Sequence, residues 1–600
     1  MLHIVDFEPV GRRGSCPDGG TLLDAARALG VDLASVCGGA GTCGRCKVRV
    51  VTGSVTPASE PEERFLTTDE RGRGYRLACR AQPLNDCKVD VPPESLTALQ
   101  RTQVEGAEIP VEVKPPIRAY MLHIEPPTLD DPRGDDQRIC DALRSASGLE
   151  GHIPDLDVMR SASPWLRSAG WQARVTVRGR EIVAIGPEAE PWLGLAVDIG
   201  TTKIAGYLMD LVAGQTLASR GAMNPQIAYG EDVVARLMYA DKGPAEARRL
   251  QELLAGALNQ IVGETCAEVG AAPANVVEAV VVGNTAIHHL FLRLPVRQLS
   301  LAPYVPAVRR AVEVKARDLG LAIAPGAYVH MLPNIAGYVG ADHVAVLLAT
   351  RLAEQLGAVL VIDIGTNTEM CLAAHGRMTS LSCASGPAFE GAHIKHGMRA
   401  APGAIERACL ADGRLQYKTI GDRPPVGLCG SGLLDVVAQL RVGGWLDRTG
   451  RLAPGEGVRR GEAGLEYVIA DEPQSGNGRA VVVTQHDVRE LQLAKGAIRC
   501  GIDTLLRDAG LSAGDLERVI IAGAFGTYID VASAITIGML PEVAVERCSQ
   551  VGNAAGTGAR LALLSRSLRH QAQEIAQRVH YLELAQSPGF ARSFAAAMYL

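Results

Sequence analysis

Two stretches of this chain read almost alike: GLAVDIGTTKIAGYL at 194–208 and LVIDIGTNTEMCLAA at 360–374. Each is an apolar strand, then Asp-Ile-Gly-Thr, then a returning strand. Such an echo predicts two related halves built on one plan, with a cleft between them. The turn after each strand is a nest of backbone amides suited to anions, and to phosphate in particular. Gly200, Thr201, Thr202 and Lys203 form the first candidate loop, and Gly365, Thr366, Asn367 and Thr368 the second. Asp198 and Asp363 are expected to face one another across the cleft and to hold Mg2+, mostly through water, as hard oxygen ligands do. One Asp-x-Gly-Thr says little; two in the same strand context say much more.

Further Gly-rich turns follow apolar strands. Gly430, Ser431 and Gly432 open the helix LLDVVAQL, Gly523 and Gly526 lie in IAGAFG after RVII, and VVVGNTAIHHL spans 280–290. Helix N-termini of this kind suit phosphate or adenosine contact, although each taken singly is an ordinary strand–helix turn. Glu231, Glu369 and Glu390 are candidates for activating water. The segments Asn224–Asp232 and Asn334–Asp342 mix polar groups with glycine, as cleft or interface loops do.

The start of the chain has a different character. Cys37-GGAGT-Cys43-GR-Cys46 is followed by Cys79 in RLACRAQ, a C-x5-C-x2-C-x32-C spacing. Four thiolates on a short loop and a nearby strand can ligate both irons of a [2Fe–2S] cluster. The glycines allow turns with positive φ and let amides approach sulfur. A zinc site is the alternative, but it usually offers paired short Cys/His spacings, and only one C-x2-C occurs here. Cys16 and Cys87 read as ordinary thiols, and Cys371, Cys383 and Cys429 as buried ones. The 14 cysteines are otherwise scattered, which suits a reducing compartment rather than a disulfide framework.

These signals predict a multidomain α/β protein. Residues 1–93 form a β-grasp 2Fe–2S ferredoxin-like domain, 94–116 a linker, 117–192 a small α/β middle domain, and 193–600 a duplicated phosphate-binding domain with lobes at about 193–355 and 356–600. The net charge of −6 speaks against a nucleic-acid-binding face. No apolar run approaches the ~18 residues of a membrane span. The N-terminus lacks the apolar core of a signal peptide, so a cytoplasmic location is expected.

The duplicated DIGT loops with IAGAFG resemble the ASKHA superfamily of acetate and sugar kinases, Hsp70 and actin. That resemblance implies ATP bound between two lobes and IAGAFG near adenosine. The whole chain, through CGGAGTCGRC, DIGTTK, DIGTNTE, SGPAFEGAHIKHGMRAAPGAIE, GLCGSGLLD and IAGAFGTYID, resembles the reductive activators of corrinoid proteins. The resemblance implies ATP-dependent, one-electron reduction of a partner's Co(II) corrinoid to Co(I) for methyl transfer, with an electron-donating reductase or ferredoxin upstream and a homodimer as a plausible assembly. The corrinoid belongs to the partner, because no His here has Asp two residues before it, as D-x-H-x-x-G requires. His393 and His396 are candidates for partner contact, with a structural role as the plainer reading. A plant-type cluster sits near ~−400 mV. The cobalt couple is expected lower, and each ~59 mV of mismatch costs ~1.4 kcal/mol. Three other readings stay open: an electron donor of the 2-hydroxyacyl-CoA dehydratase activator type, a small-molecule kinase with an appended ferredoxin, and a nucleotide-binding redox sensor.

Overall fold

Each echoing segment becomes the first strand of a six-stranded sheet in the computed structural model. It describes residues 2–8, 12–29, 31, 33, 35, 37–92, 95, 108–148, 150–230, 232–391, 393–411, 413–462, 464–523 and 525–600. In the first sheet Leu193–Ile199 pairs antiparallel with Lys203–Asp210, which pairs with Thr216–Met223. On the other side Val276–Gly283 and then Tyr328–Met331 add in parallel, and Val312–Lys315 closes the edge. The second sheet repeats the plan. Val359–Ile364, Thr368–Ala374 and Arg377–Cys383 form the meander, and Arg518–Ala522 and Cys548–Gln550 add in parallel. Both faces of the central parallel strands are covered; Val276–Gly283 is buried at every position, and its Glu278 is paired with Arg178 and Arg569.

The helices Ala341–Ala349 and Ala554–Leu564 pack on each other and on the first sheet. Ala554, Ala559, Leu563, Ala572 and Ile575 share one core with Leu195, Val197 and Val281. The expected division near 355/356 therefore separates the sheets but not the helices, since the chain returns to the first lobe at 554–579. Burial drives this return. The helix Ala554–Leu564 is buried along its whole length and needs apolar cover on all sides.

Two smaller units sit ahead of the lobes. The first has a five-stranded sheet in which Leu2–Glu8 pairs parallel with Cys87–Asp90 and antiparallel with Arg12–Pro17. Its helix Leu22–Ala28 buries Leu22, Leu23, Ala25 and Ala26 against Val5, Phe7, Val48 and Val89. The second joins Ile117–His123, Gln172–Arg178, Glu181–Gly186 and Ile153–Pro154 in one sheet, covered by the helices Asp135–Ser147 and Leu156–Ser168. Arg178 ties it to the first lobe through Glu278 and Glu313. Most of the expected linker lies outside the described residues. Its described end runs along the first lobe, where Lys114 N donates to Leu564 O and Arg566 N to Lys114 O. Among the described residues no helix is long and apolar enough to cross a membrane.

Candidate functional site: a cleft between two lobes and a cysteine loop

The two strand ends bring their Asp-Ile-Gly-Thr turns to opposite walls of one cleft of about 260 Å³. In the first turn Gly200 N donates to Lys203 O, and Asn224 Nδ2 donates to Gly200 O at 2.9 Å. In the second, Ser385 Oγ donates to Gly365 O at 3.1 Å and Gly386 N to Thr366 O. Of the sequence candidates, Asp198, Gly200, Thr201, Thr202, Lys203, Asp363, Gly365, Thr366, Asn367, Gly430, Ser431 and Gly523 line the cleft.

Three candidates do not reach the cleft. Thr368 is fully buried and its hydroxyl meets Ser385 Oγ at 2.8 Å, so it braces the turn from behind. A Cβ on Gly432 would lie 2.0 Å from Ile405 O, and one on Gly526 2.3 Å from Ala522 O. Both glycines allow close backbone approach, as Gly430 and Gly523 do where they line the cleft.

Carboxylates crowd the cleft floor. Burial, opposed only by the Asn553 amide at 3.0 Å, pushes Asp198 up to about 6. Burial, with Asp198 nearby, pushes Asp363 up to about 7. Asp342, in the first turn of Ala341–Ala349, goes up to about 8 through burial and the fields of Asp198 and Asp363. Glu369 is raised by burial and by the charges of Asp342 and Asp363. Like charges gathered in a buried place favour a cation or protons between them. Asp342 was legible only as the end of a polar loop; nothing in its local sequence marks it as the third member of this set.

Glu390 sits between the two turns. It accepts from Thr202 Oγ1 at 3.0 Å and from Thr366 Oγ1 at 2.5 Å. It thus bridges the walls rather than standing free beside water. Glu231 lies outside the described residues. Towards the other end, Phe389 and Phe525 stack with centroids 4.4 Å apart beside Gly430, giving an apolar surface against which a flat base can lie. Asn284, which caps Thr285–Leu292, donates to Thr201 Oγ1 at 3.1 Å. The sequence placed Phe525 within IAGAFG and Asn284 within VVVGNTAIHHL, but their contacts with Phe389 and Thr201 were not readable, because the partners are remote in the chain.

The cysteine loop closes on itself as two pairs. Cys43 Sγ lies 3.4 Å from Cys37 Sγ, and Cys46 hydrogen bonds Cys79. Two thiolates on one metal with bonds of about 2.3 Å stand about 3.8 Å apart. In each pair the two sulfurs share a hydrogen bond. This holds Cys37 down to about 4 and pushes Cys43 up, and likewise lowers Cys79 and raises Cys46. Backbone groups of Gly39, Thr42 and Cys43 also hydrogen bond Cys37. Among the described residues no three or more His, Cys, Asp or Glu side chains converge on a single ion. Two pairs side by side fit a binuclear cluster, one iron to each pair, better than one tetrahedral zinc. Cys16 and Cys87 are buried within the same domain, and burial pushes both thiols up.

Comparison with known proteins agrees along the chain. Residues 5–84 match the 2Fe-2S iron-sulfur cluster binding domain, 106–190 the RACo linker region, 193–355 the RACo middle region, and 357–600 the C-terminal domain of RACo, the ASKHA domain. The corrinoid activation enzyme RamQ of Eubacterium limosum is 32% identical over 590 residues, covering 95% of this chain and 94% of that one. The [Co(II) methylated amine-specific corrinoid protein] reductase of Methanosarcina barkeri is 26% identical over 430 residues, 66% of this chain and 75% of that one. Among solved structures, a reductive activator for corrinoid, iron-sulfur protein superimposes with a TM-score of 0.74 at 36% identity, covering 100% of this chain and 98% of that one. With a cysteine loop fit for a [2Fe–2S] cluster and a duplicated ASKHA cleft fit for ATP, the chain belongs to the family of reductive activators of corrinoid proteins.

Proposed function

We infer that this protein uses ATP to drive one-electron reduction of a partner corrinoid protein from Co(II) to Co(I), the state needed for methyl transfer. The observation that carries this reading is adjacency: Arg27 and Arg45 of the cysteine-bearing domain bond Ala228 O and Gly391 O, close in the chain to Asn224 and Glu390, which hydrogen bond the two phosphate turns. When bound, the [2Fe–2S] cluster supplies a one-electron store. Cys37, Cys43, Cys46 and Cys79 would hold it, with the amides around Cys37 favouring the more negative sulfur. Thr201, Thr202, Lys203, Thr366 and the turn amides would hold the ATP phosphates, and Phe389 and Phe525 the base. Asp198, Asp342 and Asp363 would position Mg2+ through its water. A reductase or ferredoxin would refill the store after each transfer. A homodimer rests on the resemblance alone.

ATP can help an uphill electron only through differential affinity, since a ligand shifts an equilibrium no further than its preference for one state over another. The two lobes supply the two states. Asp363→Asn tests the reading. MgATP hydrolysis is expected to fall by about 10²-fold or more, cluster absorption to stay unchanged, and Co(I) formation on the partner to be lost. Unimpaired Co(I) formation by this variant would contradict the proposal.

A further inference from the structure

Two arginines of the cysteine-bearing domain hold it to both lobes. Arg45, between Cys43 and Cys46, reaches the second lobe. Its guanidinium donates to Gly397 O at 3.0 Å, Gly391 O at 2.5 Å and Ile394 O at 2.8 Å. Arg27 reaches the first lobe, donating to Ala228 O at 2.6 Å and also to Gly38 O of the cysteine loop at 3.1 Å. Gly38 itself lies so close to the first lobe that a Cβ there would stand 3.1 Å from Gly230 N. A loop gripped from both sides cannot keep both grips if the lobes rotate.

Each grip lies within a few residues of a side chain that hydrogen bonds a phosphate turn, Asn224 on the first lobe and Glu390 on the second. On the first lobe, Ala228 belongs to the short helix Pro225–Tyr229 capped by Asn224. Asn224 donates to Gly200 O through its side chain and to Thr202 O through its backbone. On the second lobe, Gly391 follows Glu390 directly, and residues 393–398 are pinned by Lys395 N to Asp487 Oδ1 and Met398 N to Leu428 O. Glu390 occupies the hydroxyls of Thr202 and Thr366. A nucleotide phosphate needs those same donors, and two anions cannot share them in a buried cleft. Phosphate binding therefore displaces Glu390 and pulls on Gly391, the acceptor of the shortest Arg45 hydrogen bond.

We propose that Arg45 and Arg27 form a two-point clamp that seats the cysteine-bearing domain on both lobes, and that nucleotide binding unseats it by displacing Glu390. This rests on the reading of the cleft as an ATP site. Linkage makes the effect reciprocal: whatever weakens the Arg45 grip favours nucleotide. The clamp gives the cluster two positions, one docked on both lobes and one released.

The test is hydrogen exchange on the cluster-loaded protein with and without a non-hydrolysable ATP analogue and Mg2+, alongside calorimetric titration of the analogue. Exchange is expected to rise together at 37–47 and 391–398 when the analogue binds. Arg45→Ala, with its cluster checked by visible circular dichroism, is expected to bind the analogue about 5-fold more tightly or better, with exchange at 37–47 already high before addition. Arg45→Lys keeps the charge but cannot span three carbonyls, so it is expected to fall between the two. Analogue binding with no rise at 37–47 in the unsubstituted protein would overturn the clamp alone, whatever the variants do. Unchanged or weaker binding by Arg45→Ala would overturn it too. Failure of the analogue to bind at all would remove the ATP site itself, and the clamp with it.

Discussion

Asp342 concentrates the electrostatic tension of the cleft. Folding raises its proton affinity above that of the unfolded chain, as it does for Asp198 and Asp363. Between the ordinary carboxylate range and about pH 8 the folded state thus binds more protons than the unfolded one, and stability falls as pH rises through that window. Thermal unfolding in chelator should show a midpoint that drops from pH 5 to pH 8. Asp342→Asn should flatten this slope, and Mg2+ should raise the midpoint most at the alkaline end. A midpoint rising with pH in the unsubstituted protein would contradict this picture. The cysteines divide equally sharply. Cys79→Ser should abolish the visible absorption of the cluster, whereas Cys87→Ser should keep it at some cost in stability, read by anaerobic reconstitution and spectroscopy. The thiol set was legible because its spacing is local and characteristic. Asp342, Asn284 and Asn553 were not, because their meaning comes from neighbours far away in sequence.

At the level of elements, a buried ion pair braces the cysteine-bearing domain. Glu62 is wholly buried in Glu60–Phe65; it receives Arg76 at 2.8 and 3.0 Å and also Leu77 N, two residues before Cys79. Removing one partner of such a pair strands the other. Glu62→Ala should therefore cost this domain about 3–5 kcal/mol by denaturant unfolding, with the cluster released earlier than in the unsubstituted protein. A loss under ~1 kcal/mol, the range of an exposed pair, would show that the bridge is solvated. The first strand of each sheet was readable as an apolar run, and the echo of DIGT foretold two related halves; five strands share one order, while Val312–Lys315 and His580–Tyr581 close opposite edges. The return of Ala554–Leu564 to the first lobe was not readable. A helix apolar on all sides announces burial but not against which sheet. Thr368, Gly432 and Gly526 mark the same limit, since a motif's outline cannot separate residues that face the ligand from those that brace the turn.

For the whole molecule, the fusion of a cysteine loop to a two-lobed cleft acquires a mechanical meaning. The loop rests on both lobes, through Arg27 on Ala228 and Arg45 on 391–397, so events at the phosphates and the seating of the cysteine loop share one structure. The pairing of the units was visible in the sequence; their contact was not, because it is made by backbone carbonyls, which carry no sequence signature. The most direct measurement is anaerobic: the dithionite-reduced protein is mixed with a Co(II) corrinoid protein of a methyltransferase system, and the visible spectrum is followed with MgATP, with a non-hydrolysable analogue, and without nucleotide. Co(I) is predicted to accumulate only with MgATP. Equal Co(I) formation without nucleotide, or none with MgATP and a competent partner, would contradict ATP-gated electron delivery.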